Sequence, residues 1–390
     1  EAQDLANILK AGSLPVPANI IEESIVGPSL GEENINSGLW SFVFAFGLVL
    51  FYMIFYYNRA GWVANVALLA NIFFILGTLA SLGAALTLPG IAGLVLTIGM
   101  SVDANVLIYE RVKEELSKGK GVKLAIADGY KHAYSAIIDA NVTSLLTAVV
   151  LAYFGSGPIQ GFATTLIIGV FTSLFSALFI TRLIFSYMLD NKKEVAFSRK
   201  FTKNLFKGTS ITFFKKRKLF YVISSLIVLG GLASLFSKGV DWGVEFTGGR
   251  TYRVEFSQKI DREEVRKLIA SKSVNEDGSL VSPELKTVDN EYNLEITTKY
   301  LVNSSADNKN EKVDSTLHES FNDMGYQNKD FSDGEWYEIK SSRSVNPQIS
   351  DELKQSSLLA IIFSLFIIFI YIAFRFKKWQ FGLGALVAMF

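Results

Sequence analysis

The sequence predicts a polytopic α-helical membrane protein with a pseudo-repeated helical bundle and one small α+β, ferredoxin-like extracytoplasmic domain. Composition is the first observation behind this reading. Half of the 390 residues are hydrophobic, 31 are Phe and 19% are charged, and the mean hydropathy is +0.30. That is too apolar for an ordinary soluble protein. The second is a series of seven apolar stretches, each near the roughly 20 helical residues that cross a hydrocarbon core. The third is a single long polar insert between two of them.

In chain order, residues 1–38 are the end of an extracytoplasmic region preceding a membrane helix, and 39–189 hold five spans, at 39–57, 62–82, 88–109, 137–154 and 161–189. Residues 190–218 read as a basic cytoplasmic linker, 219–237 as a sixth span, and 355–390 as a seventh (356–374) plus the start of another. The connections 110–136 and 190–218 are rich in Lys and Arg, whereas Gly83–Leu88 and Gly155–Gln160 contain neither. The positive-inside rule makes the basic connections cytoplasmic. With Arg59 and Arg375–Lys378 on that side as well, every span alternates. The chain starts at Glu1 and stops inside an apolar run, so a fragment of something longer is expected.

Residues 238–354 carry 16 Lys/Arg against 23 Asp/Glu and fall on the outer side. Alternation and turn signals predict strands at Arg250–Phe256, Leu285–Val288, Tyr292–Thr298 and Trp336–Ser341. Helices are expected at Arg262–Ser271, after the capping Asp261, and at Lys309–Met324. That order suits a ferredoxin-like sandwich.

Two pre-helix segments repeat. Val26-Gly-Pro-Ser-Leu-Gly-Glu-Glu, then Ser37-Gly-Leu, matches Val345-Asn-Pro-Gln-Ile-Ser-Asp-Glu, then Ser356-Ser-Leu, at a constant offset of 319 residues. The register persists to Asn58-Arg59 against Lys377-Lys378. Membrane carriers are often built from such repeats, with the working site at their interface.

Asp103 is the leading candidate site residue, a lone carboxylate within the apolar run Leu88 to Tyr109. Placing a charge near a bilayer centre costs at least about 2.5–3.5 kcal/mol on insertion scales, so such groups usually face a bundle interior. There a carboxyl can exist protonated and neutral or ionised and costly, with water access deciding between the two. Helical spacing places Gly99 on its face, with Leu96 and Met100 nearby. A packing hydrogen bond is the alternative role. Asn105 reads as a residue that hydrogen-bonds across the bundle, either structurally or as a supporting polar group of the Asp103 site. Asp139, in a second Asp-Ala-Asn-Val, reads either as a cap or loop tether or as a point of proton entry. Arg182 can snorkel to the interface. Gly248-Gly249 fits a close strand–helix junction better than a phosphate loop, because no Lys-Ser/Thr follows. His132 and His318 lack the neighbours in sequence that a metal site needs. No cysteine is present, so thiol chemistry is excluded. No cofactor, metal, nucleophile–base pair or nucleic-acid signature is read.

The segments LPGIAGLVLTIGMSVDANVLIYERVKEEL and IIDANVTSLLTAVVLAYFGSGPIQGFATTLIIGVFTSLFSALFITRL, with Trp242-Gly-Val-Glu-Phe-Thr-Gly-Gly-Arg after a single span, resemble the SecD/SecF family. That family's fused members accompany the Sec translocon and are related to the resistance-nodulation-division exporters. The first helix and most of the large periplasmic domain of SecD have no counterpart here, nor does the end of SecF. The resemblance implies a non-enzymatic, multi-pass subunit of the bacterial inner membrane that uses a proton or sodium gradient in late polypeptide export. Residues 238–354 would be periplasmic, and the family's proton-responsive aspartate falls on Asp103. Implied partners are the SecYEG translocon, SecA, YajC and YidC, an unfolded secreted polypeptide, and membrane lipid. A lipid or small-molecule exporter of the same superfamily, or a non-conducting scaffold, stays open. The basic linker reads as a solvated tether, with binding to anionic lipid or a partner as its alternative.

Overall fold

The computed structural model describes residues 22–84, 86–155, 157–199, 201–202, 213–239, 242–304, 309–329 and 334–389. The expectations for residues 1–21 and for 203–212 of the linker lie outside the described residues. Contacts divide the chain into two compact units: Glu1–Glu32 with Lys238–Gln355, and Glu33–Ser237 with Ser356–Phe390.

The second unit is helical. Its first five spans are α1 (Pro28–Tyr57), α2 (Arg59–Ser81), α3 (Leu88–Ser117), α4 (Val122–Phe154) and α5 (Pro158–Phe175). A π turn at Ser176–Ile180 follows α5 and runs into α6 (Thr181–Asp190), and α7 is Arg217–Lys238. Among the described residues, seven helical stretches are long and apolar enough to cross a membrane. The side chain of Thr87 caps α3 by accepting from Gly90 N at 3.1 Å, and prolines sit in the first turns of α3 and α5. Glycine brings α3 and α5 together, since a Cβ on Gly93 would lie 3.3 Å from Thr165 and one on Gly169 only 2.3 Å from Thr97 Oγ1.

Two connections differ from expectation. The stretch 110–136 is helical hairpin rather than loop, with α3 running to Ser117 and α4 starting at Val122. Its charges pair along one face, as in Glu110–Lys113 at 2.9 Å and Arg111–Glu114 at 2.8 Å, while Val112, Ala125, Ile126 and Ala133 are buried. Average hydropathy registers those charges and misses the apolar period beneath them. The linker is also no free tether at its start. Val195 and Phe197 are buried, Ala60 N donates to Ala196 O at 3.1 Å, and Thr202 Oγ1 donates to Tyr56 O at 3.0 Å. Phe197 packs edge-on to Tyr109 and against Phe185. This segment borders a cleft of about 950 Å³ that is also lined by Tyr56, Glu110, Lys113 and Ser117.

The first unit is an α+β sandwich. Its strands are β1 (Glu22–Val26), β2 (Gly249–Phe256), β3 (Glu284–Thr287), β4 (Asn293–Thr298), β5 (Gln327–Asn328) and β6 (Trp336–Val345), in the order β1-β6-β2-β4-β3, with β5 pairing beside β6. Its helices are a short α8 (Val244–Thr247), α9 (Arg262–Lys272) and α10 (Lys309–Asp323). Without β1 and β5 this is the ferredoxin-like β-α-β-β-α-β arrangement that the residue pattern predicts. Alternate residues of β2 and β4, Tyr252, Val254, Phe256, Leu294 and Ile296, pack on Val265 and Ile269 of α9 and on Val313, Leu317 and Phe321 of α10. Gly248 and Gly249 adopt φ of 72° and 132°, and Cβ atoms there would lie 2.9 Å from Pro347 and 2.8 Å from Thr298 O. The junction therefore requires glycine. Buried Arg250, next in line, donates to Asn310 Oδ1 and to Tyr300 O.

The repeat is present in the backbone. β1 ends at Val26 before α1 starts at Pro28, and β6 ends at Val345 before α11 (Pro347–Arg375). The turns that follow place Asn58 at φ 55° and Lys377 at φ 57°, again 319 residues apart (377 − 58), before α2 and α12 (Trp379–Met389). β1 also pairs antiparallel with β6, Glu22 opposite Val345.

Candidate functional site

Asp103 lies on α3 within the stripe Ala92, Leu96, Gly99, Asp103 and Glu110, all exposed. The expectation that it faces a bundle interior is not met within the described helices. Its side chain is exposed, and among the described residues no hydrogen bond or ion pair reaches it. The opposite side of α3 is consumed by packing, with Leu94, Ile98, Val102 and Ile108 buried. A carboxylate two residues from buried Ser101 and Asn105 therefore stands at mid-helix on a face that the helical unit leaves open.

Asn105 sits on the packed side, fully buried. Its Nδ2 donates to Ser101 O in the preceding turn at 3.2 Å, and among the described residues it makes no hydrogen bond to another helix.

Asp139 lies well inside α4, so it is not a cap. Tyr371 OH donates to its Oδ1 at 2.8 Å and Arg375 Nε donates to the same oxygen at 2.7 Å, both from α11. Arg375 also reaches Ser135 Oγ. The rings of Phe154 and Phe363 stack with centroids 5.5 Å apart, which sets α11 antiparallel along α4. Asp139 thus ties the five-helix half to the repeat's second half. Sequence reasoning overlooked Tyr371 and Arg375. The available signal was their i, i+4 spacing at the basic end of a span, level with an acidic residue on another.

At the hairpin turn, Glu115 is buried and paired with Lys118 Nζ at 2.8 Å and Lys120 Nζ at 2.5 Å, with His132 Nδ1 at 3.6 Å. Hydrogen bonding to Asp128, and then to Glu115, raises the affinity of Lys120 for its proton. This cluster fastens the turn and is separate from Asp103.

The comparisons with known proteins follow the same division. The family model described as "Protein export membrane protein SecD/SecF, C-terminal" matches residues 10–191 and 326–390, and the "SecD/SecF GG Motif" matches 233–260, around the glycine junction. Protein translocase subunit SecD of Rhodothermus marinus is 58% identical over 193 residues, covering 50% of this chain and 31% of that protein. The same subunit of Desulfurispirillum indicum is 51% identical over 192 residues, 49% of this chain and 37% of that protein. The crystal structure of SecDF from Thermus thermophilus, there described as a translocon-associated membrane protein, superposes with a TM-score of 0.80 at 31% identity, covering 99% of this chain and 50% of that one. The chain thus spans about a third of the length of these curated relatives and half of the solved SecDF. With matches that run through the five-helix half, the glycine junction and the repeat's second half, the chain belongs to the SecD/SecF family of protein-export membrane proteins.

Proposed function

We propose that this chain is the ion-coupling part of an accessory subunit of the Sec translocon, a transport protein rather than an enzyme. Protonation of Asp103 shifts the packing of the repeated half-bundles, and that shift moves the outer α+β domain against a polypeptide leaving the translocon. The observation that carries this reading is the position of Asp103, an unpartnered carboxylate within an apolar span on the uncovered face of α3. A helix placed against that face would meet a charge when the group is ionised and a neutral acid when it is protonated, which is the differential interaction a two-state element needs. A membrane potential supplies about 2.3 kcal/mol per charge per 100 mV. The names of the relatives support the Sec assignment, and the basic ends of the spans support a cytoplasmic orientation for them, with 238–354 periplasmic. On this reading SecYEG is the direct partner, with SecA, YajC and YidC as associated factors and the bacterial inner membrane as the site. Asp139 serves as the tether between halves, and Asn105 supports α3 from its packed side.

Gradient-dependent export of a secreted reporter, measured in membrane vesicles containing the full-length protein, tests the reading. Asp103→Asn should abolish the gradient-dependent step while assembly stays intact. Unchanged export would favour a scaffold. Replacing a proton gradient by a sodium gradient in the wild type identifies the ion.

A further inference from the structure

The side of α3 away from Asp103 carries buried polar groups that the coupling reading does not use. Thr97, Ser101, Asn105 and Tyr109 follow one another at four-residue spacing, and each is at most 1% exposed. Thr97 Oγ1 donates to Gly93 O at 2.8 Å, but Ser101 Oγ, Asn105 Oδ1 and Tyr109 OH have no hydrogen-bond partner among the described residues. The orientation of the Asn105 amide is fixed, because Nδ2 donates to Ser101 O and a flip would set two oxygens against each other.

Neighbouring helices bring more such groups to the same level. Gly93 lies against Thr165 and Thr97 against Gly169, an offset of 72 residues in both cases (165 − 93 and 169 − 97), which carries Ala104 to Ser176. Ser176 is fully buried at the start of the π turn, and its Oγ is also unpartnered. Gly129 of α4 meets Val112 of α3, and stepping twelve residues outward on both brings Asn141 level with Met100 and Ser101. The amide of Asn141 donates to Ile137 O at 2.8 Å, leaving Oδ1 unpartnered. From α2, one turn from where Phe74 meets Phe175, comes Asn71, fully buried with neither amide atom bonded among the described residues.

Polar groups buried this deeply find partners, either in the protein or in ordered water. The spacing decides between water and a single ion. Four residues of helix rise about 6 Å, close to the span of two hydrogen bonds of about 2.8 Å through one water molecule. From Ser101 to Tyr109 the groups are spread over about 12 Å, far more than the shell of one cation with ligands at about 2.3–2.6 Å. A π turn also displaces backbone carbonyls from the regular helical ladder and is found often at functional sites. The geometry points to an internal binding site for a file of ordered water molecules, enclosed by α2, α3, α4 and the α5–α6 π turn, running from Ser101 past Asn105 to Tyr109. The file solvates the packed side of α3 at the depth where Asp103 occupies the open side. It lies beside the tight glycine-lined seam where α3 meets α5 directly.

Radiolytic hydroxyl-radical labelling of the full-length protein in lipid nanodiscs, read by mass spectrometry, tests this, because bound water supplies the radical locally. After correction for intrinsic reactivity, Tyr109 should be labelled several-fold faster than Phe185, which is 1% exposed and in ring contact with it. Asn105→Leu should lower labelling of Tyr109 several-fold and leave Phe185 unchanged. Ser101→Ala, which removes one oxygen and adds no bulk, should do the same and guards against a misfolded Leu variant. Labelling of wild-type Tyr109 at the rate of Phe185, or labelling unmoved by either variant, would overturn the proposal. So would labelling that changes when sodium chloride is replaced by choline chloride, since the occupant would then be an ion. None of these outcomes bears on Asp103, whose role is read from export alone.

Discussion

Arg375 Nε donates to Asp139 Oδ1 at 2.7 Å across 236 residues of chain, joining the last turn of α11 to the middle of α4. The same carboxylate oxygen accepts from Tyr371 at 2.8 Å. Because the guanidinium is 43% exposed and the carboxylate 21%, solvent screens the pair and its strength is modest.

A double-mutant cycle with Asp139→Asn and Arg375→Gln should therefore return a coupling of about 1 kcal/mol or less in unfolding of the purified protein, falling at high salt. A coupling indistinguishable from zero at low salt would remove the tether.

Gly169→Ala should destabilise the helical unit by about 1–3 kcal/mol, the range for overpacking a tight seam. The new methyl would meet Thr97 Oγ1 at 2.3 Å and Cγ2 at 2.4 Å. Thr97→Ala in the same chain should recover most of the loss, measured as thermal unfolding in detergent, and an additive double variant would refute the contact.

Phe197→Ala removes a 3%-exposed ring from the cluster of Tyr109 and Phe185. The expected cost is about 3–5 kcal/mol, as for other buried Phe→Ala changes. Limited proteolysis offers a second readout, because 194–202 should become the preferred cleavage site once the ring no longer pins it. Unchanged protection would mean that the hydrogen bonds to Ala60 N, Tyr56 O and the Arg59 side chain hold the segment without the ring.

The α+β unit should lose stability in acid through Glu338. Burial pushes that carboxyl up, and hydrogen bonds from Lys329 and Lys340, each at 2.8 Å, outweigh it and hold the group below its ordinary value. A folded carboxyl that binds its proton more weakly than the unfolded one stabilises fully above about pH 4.3 and loses that contribution as pH falls through the lower, folded value. Glu338→Gln should thus lower the melting temperature of the α+β unit at about pH 7 and change it little near pH 3. An equal drop at both would refute the charge-dependent account.

Much of this architecture is legible in the sequence because it rests on local periodicity. Tyr252, Val254 and Phe256 alternate, Val313, Leu317 and Phe321 recur at helical spacing, and the spans exceed the length a bilayer requires. What escapes is what local period cannot encode. The charged stretch from Glu110 to Lys131 is a helical hairpin, but its polarity conceals the apolar positions below. Val195 and Phe197 are isolated among polar and basic residues with no helical or strand period around them, and their burial depends on an aromatic cluster assembled from α1, α3 and α6. Asp103 is conspicuous as a charge among apolar residues, but which face of α3 stays uncovered depends on how α2, α4 and α5 pack, and that follows from glycines on other helices. The bond between Asp139 and Arg375 joins residues whose separation no sequence window spans.

The twin left-handed residues Asn58 and Lys377 carry one last implication. Between the two repeats the amino acid at this bend differs while φ is nearly the same, 55° against 57°, so the backbone geometry of the bend is held in both copies independently of the side chain that occupies it. The two bends are then interchangeable components. Exchanging their short turn sequences should yield a protein that still folds, and glycine at either place should relieve a strain that both copies have retained.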